Sequence, residues 1–233
     1  MTPEELLKKM KAACGENLLS FVIYGSAAAG DAIPGKSDCN VMLVLETAPL
    51  AALKAIAAAS KDWLKQGNPP PLIFTRGQLL SSGDTFPIEL SDMQAFHKVL
   101  HGENPLPGIH IAPEHLRLAL ERELKGKLVL LRETYLSLAG SGKGLPDLMT
   151  GSLSQFLVLC RAALRLRTGS APASKLDCAF GLGRLAGFDP EIFKTVHELR
   201  AGSYRGGEDA ERLFGKYLAA VETLCAAVDG WKN

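Results

Sequence analysis

Two apolar, β-branched stretches, Leu18 to Tyr24 and Val41 to Leu45, flank a segment rich in glycine, alanine, aspartate and proline. Runs of that kind read as strands, and the segment between them reads as a loop or short helix where strand ends open onto solvent. Within it stand Gly25-Ser26, Gly30 and Ser37-Asp38-Cys39-Asn40. Gly25 lets the backbone approach a ligand closely, and successive amides from Ser26 onward, with the Ser26 hydroxyl, can donate to an anion. Asp38 and Asn40 are two apart at the start of a strand, so they project from one face and can converge on one cation. Hard oxygen donors at that spacing suit magnesium, which keeps waters and takes remaining ligands from substrate phosphates. Without a ligand, the same residues make a strand-turn-strand in which Gly and Ser serve the turn and Asp38 solvates a strand end.

The pattern GSAAAGDAIPGKSDCN followed by VMLVLE resembles the motif of the DNA polymerase beta-like nucleotidyltransferases. In that family Gly-Ser holds the triphosphate and Asp-x-Asp binds metal. The resemblance implies a small mixed sheet with helices, a magnesium-nucleoside triphosphate substrate, and transfer of a nucleotidyl group to the hydroxyl of an acceptor the sequence does not identify. On this reading Gly25, Ser26, Gly30 and Ser37 contact the nucleotide. Asp38 and Asn40 are the paired metal position. A third carboxylate from a later strand is implied, and Phe86-Pro87-Ile88-Glu89-Leu90 supplies Glu89, which would also orient or deprotonate the acceptor hydroxyl.

Asn40 departs from the family pattern, which has aspartate at both paired positions. An amide oxygen can ligate magnesium but carries no charge, and two divalent ions a few ångströms apart repel strongly unless anions bridge them. Asp38 and Glu89 supply two charges where the family supplies three. Binding of the magnesium-nucleotide is therefore expected to survive better than transfer, because the triphosphate brings most of that metal's ligands. The alternative to an enzyme is a nucleotide-binding, regulatory or interaction module that keeps the fold without turnover.

Acidic and basic residues nearly cancel across the 233 residues, leaving a formal net charge of +1. This gives no bulk attraction for nucleic acid or anionic lipid and argues against a long nucleic-acid track. The five cysteines, Cys14, Cys39, Cys160, Cys178 and Cys225, are scattered without the close pairs of a zinc or redox motif, and buried reduced thiols are expected. The charged, helical N-terminus is not that of a signal peptide, and Leu153 to Leu166 is broken by Arg161 and Arg165. These features place the protein in the cytoplasm, with no membrane partner.

The pattern then changes along the chain. Thr2, Pro3, Glu4 and Glu5 start a helix to about Ala13, Leu50 to Lys65 is a second, and Leu72 to Thr75 is a strand. From Pro113 onward apolar residues recur at helical spacing through Leu116, Leu120, Leu124, Leu128 and Leu131. The fold class is thus α+β followed by all-α: a small mixed-sheet domain over residues 1–110 and a helical bundle over 111–233. Five bundle helices are expected, Pro113 to Ala139, Leu145 to Thr168, Ala173 to Ala186, Pro190 to Ala201 and Asp209 to Val228. The arrangement resembles kanamycin nucleotidyltransferase-like enzymes and bundles of the HEPN type, but no late Arg is followed at four to six residues by His, as RNA cleavage of the HEPN kind uses. Leucine-rich bundle faces leave a homodimer open. Arg161, Arg165 and Lys175 could meet a triphosphate or serve as solvated helix-end charges. His97 and His101 fall four apart on an expected helix, Gln94 to Leu100, yet two imidazoles alone make no zinc site.

Overall fold

The computed structural model describes residues 1–30, 39–138 and 144–231. The chain divides into two units, Met1–Ala112 and Pro113–Asn233. The first is a mixed sheet with helices and the second is all helical.

Helix α1 (Pro3–Cys14) opens on a capping box: the Glu5 amide donates to Thr2 Oγ1 at 3.2 Å, and the Thr2 amide donates to Glu5 Oε2 at 2.8 Å. It buries Leu6 and Met10 against β1 (Leu18–Tyr24) and β2 (Asn40–Leu45), which pair antiparallel. Between them lies the short α2 (Ser26–Ala29). The expected helix over Leu50 to Lys65 is two, α3 (Leu50–Ala59) and α4 (Lys61–Lys65), divided at Ser60, whose hydroxyl donates to the Ile56 carbonyl. Strand β3 (Leu72–Thr75) runs parallel to β2. After α5 (Arg76–Leu80) come α6 (Pro87–Ala95) and β4 (His97–Gly102), which pairs antiparallel with β1 and completes the order β3-β2-β1-β4.

Alternation sorts the central strands onto two cores. Phe21, Ile23, Val41, Leu43 and Leu45 face α1, Ile56 and Trp63. Val22, Met42 and Val44 face Leu79 of α5, Leu90 and Met93 of α6, and Leu106 and Ile109 of the following segment. Gln94 Nε2 donates to the carbonyls of Leu106 and Ile109, tying that segment to the end of α6.

Two segments adopt structures other than those their sequence patterns suggest. Glu89 lies in the first turn of α6, not on a strand, because Pro87 at the helix start presets φ and has no amide to leave unpaired, while Ile88, Leu90 and Met93 bury against the sheet. His97 and His101 lie on β4, not a helix. A bulge doubles residues opposite Phe21 and Val22, so His101 pairs with Phe21 and His97 with Tyr24, on opposite faces. The two imidazoles therefore do not converge.

The helical unit comprises α7 (Pro113–Ser137), α8 (Leu145–Thr168), α9 (Lys175–Ala186), α10 (Glu191–Ala201) and α11 (Ala210–Gly230), close to the expected spans. Leu116, Leu120, Leu124, Leu128 and Leu131 are all buried. Phe188 packs edge to face on Phe193, and Phe193 and Phe156 each pack edge to face on Tyr217, whose hydroxyl pairs with Ser152 at 3.0 Å. No helix among the described residues is long and apolar enough to cross a membrane. Cys160, Cys178 and Cys225 are buried thiols.

Candidate functional site

The polypeptide turns sharply where β1 ends. Gly25 has φ +77°, and a Cβ built there would stand 3.0 Å from Asn40 Nδ2. The glycine is thus required twice, by its left-handed backbone and by the amide side chain lying against it. The Ala28 amide donates to the Gly25 carbonyl at 3.1 Å, closing the turn into α2. Gly30 also has positive φ, +74°, but open space where its Cβ would be.

Asn40 is the first residue of β2 and pairs directly with Tyr24, which pairs on its other side with His97. Directly opposed residues share a face, so Asn40, Tyr24 and His97 form a polar row at one end of the sheet, on the face where Val22, Met42 and Val44 are apolar. Helix α6 covers that face, and Glu89 sits in its first turn, exposed. Burial chiefly, and then the negative charge of Glu89, push the half-buried Tyr24 hydroxyl above the usual tyrosine range. It remains a neutral hydrogen-bond donor at physiological pH.

The start of β2 is held from outside the row. The Cys39 amide donates to Asn68 Oδ1 at 3.2 Å, and Trp63, buried beneath, fixes the same loop through Nε1 to the Pro69 carbonyl at 2.8 Å. Cys39 itself turns to the α1 side, where burial and then Glu4 raise its thiol pKa. On the opposite flank Asn104 Oδ1 accepts the Leu106 amide at 3.2 Å, so Asn104 Nδ2 faces His97 Nε2, at 2.8 Å. His97 Nδ1 is buried without a hydrogen-bond partner among the described residues.

The structure therefore brings Gly25 and Asn40 together and places Glu89 within electrostatic reach of the adjacent Tyr24. Ser37 and Asp38 lie outside the described residues, and Ser26 is placed by its backbone alone, at the start of α2. Among the described residues no group of three His, Cys, Asp or Glu side chains could hold a metal. Arg161 is buried in the helical unit, where its guanidinium donates to the Ala173 carbonyl at 3.1 Å. Arg165 shares its helix, and Lys175 begins the next. Tyr24 was not distinguished by the motif. Its signal is a polar-tipped aromatic at the last strand position before Gly25.

No family model matches the sequence, and no curated protein matches it. Among solved structures, the crystal structure of spectinomycin adenyltransferase AAD(9) from Enterococcus faecialis, with ATP and spectinomycin, matches with a TM-score of 0.60 at 11% identity. The match covers 97% of each chain. The chain has that protein's fold. The expected small mixed sheet followed by a helical bundle is the architecture observed.

Proposed function

We propose that this protein is a nucleotide-binding member of the nucleotidyltransferase fold whose metal centre is too poor in charge to support efficient transfer. The observation that carries this reading is Asn40, a neutral amide packed against the Gly25 turn where the motif it resembles has a carboxylate. The phosphates would lie along the Gly25-Ser26 turn, approached closely because no side chain intervenes.

The fold family implies a pair of magnesium ions, and the donor set here is short of charge for it. Glu89 contributes one charge from α6, Asn40 contributes none, and Asp38 adds one from the sequence. That set fits a single ion carried on the triphosphate, held by Asp38, Asn40 and Glu89, where magnesium would offset phosphate charge. It does not fit two ions, whose mutual repulsion needs bridging carboxylates.

Calorimetric titration with non-hydrolysable nucleoside triphosphate analogues, with magnesium and then with chelator, tests the reading. Micromolar binding strengthened by magnesium is expected, and no binding of any analogue overturns it. The second reading, an active transferase using Glu89 on an acceptor hydroxyl, draws on the near full-length likeness to an adenyltransferase. Pyrophosphate release by the wild-type protein at ordinary enzyme rates would establish it and remove the first.

A further inference from the structure

Helix α7 buries one face and carries an apolar stripe on the other. Leu116, Leu120, Leu124, Leu128 and Leu131 are buried within the helical unit. Leu118, Val129 and Leu136 are instead 53%, 51% and 74% exposed. Close to three and then two whole helical turns separate them, so they project along one line, on the side away from the buried leucines. Arg122, Gly126 and Glu133 fill the intervals on the same face, and all three are exposed.

Nothing within the chain accounts for Gly126, since no atom lies within 4 Å of where its Cβ would stand. A glycine in a helix interior costs about 1 kcal/mol relative to alanine, and what it offers in return is close approach of another surface. Arg122 and Glu133 likewise take part in no ion pair among the described residues. The cations at the edge of the stripe do: Lys125 pairs with Glu121 and Asp229, and Arg132 pairs with Glu222. Arg122 and Glu133 stand about 16 Å apart along the axis, too far to pair with each other.

These positions are complementary to their own image. A two-fold axis sets residue i against j and j against i. With α7 laid antiparallel on a second copy across an axis at residues 127–128, Leu118 meets Leu136 of the second copy, Arg122 meets its Glu133, and Gly126 receives its Val129. All three pairs share that one midpoint. A parallel arrangement would set Arg122 against Arg122 and Glu133 against Glu133, which repel. We infer that the outer face of α7 is the seam of a homodimer, with two antiparallel copies closed by apolar contacts at both ends, a glycine-valine fit at the centre and two Arg122–Glu133 ion pairs. One helix against one helix is a small interface, so the dimer dissociates in the micromolar range, about 1–100 μM.

Sedimentation velocity of the full chain over about 1–200 μM tests the inference. A concentration-dependent shift from monomer to dimer is expected for the wild type. Arg122→Glu and Glu133→Arg should each raise the dissociation constant at least tenfold, because like charges then face each other twice. Leu136→Gln should weaken the dimer as well, while Leu185→Gln, at an exposed leucine on α9, should leave it unchanged. All four positions are exposed, so circular dichroism of the dilute variants should match the wild type. Mixing Arg122→Glu with Glu133→Arg should form a heterodimer in which every facing pair is again opposite in charge, and the double variant should associate like the wild type. A wild type that stays monomeric throughout overturns the inference, and so does a dimer that tolerates both single reversals. Loss in the single variants without recovery in either the mixture or the double variant overturns the antiparallel pairing.

Discussion

At Gly25 any side chain meets two obstacles, a backbone at φ +77° and the Asn40 amide 3.0 Å from its Cβ. Gly25→Ala should destabilise the protein by about 1–2 kcal/mol through the left-handed conformation alone and displace Asn40 as well. Gly30→Ala carries a comparable backbone strain into open space. Nucleotide titration should therefore show a far larger affinity loss for Gly25→Ala than for Gly30→Ala, with denaturant unfolding reporting the stability of both. Asn40→Asp is expected to act in the opposite direction, raising the affinity for magnesium-nucleotide and introducing measurable pyrophosphate release, because it returns the missing charge beside the turn. Gly25 and Asn40 were legible in the sequence because a glycine before a small helix and a polar pair before an apolar strand are local patterns. Tyr24 was not, because its significance comes from strand pairing with Asn40 and from a helix residue far along the chain.

Helix α6 shows where local pattern misleads. Phe86 to Leu90 alternates well enough to read as a strand, yet Pro87 starts a helix whose apolar residues cover the sheet. His97 to Gly102 has a helix-compatible histidine spacing, but pairing with β1 makes it a strand. The loop that holds the start of β2 gives a prediction at this scale. Asn68→Ala removes the acceptor for the Cys39 amide and should cost about 1 kcal/mol, with weaker nucleotide binding because Asn40 follows directly. Amide exchange at Cys39 and calorimetry would check both effects. In α7, Glu121 is held down to about 2 by hydrogen bonds from Lys125 and then Arg117. A depressed carboxylate stabilises the fold above its unfolded pKa and loses that contribution as pH falls through the folded value. Stability should therefore decline between about pH 4.5 and pH 2, and Glu121→Gln should flatten this part of a urea-midpoint against pH profile.

Each unit buries apolar residues of its own, on both faces of the sheet in Met1–Ala112 and among the helices of Pro113–Asn233. Phe21→Ala, at a fully buried site on β1, should cost about 3–5 kcal/mol and raise hydrogen exchange first within Met1–Ala112. Composition and periodicity alone determined that an α+β segment precedes an all-helical one, because strand and helix periods are written in neighbouring residues. The local pattern also marked the Gly25 turn, and the family resemblance singled out Asn40 as the residue that departs from it. Only the tertiary structure decided that Glu89 lies on a helix, that His97 and His101 part to opposite faces, and that Tyr24 pairs with Asn40. Those outcomes depend on pairing register, a bulge and the burial of α6, which are contacts between residues distant in sequence. No local pattern encodes them, since each is settled by the free energy of the assembled core.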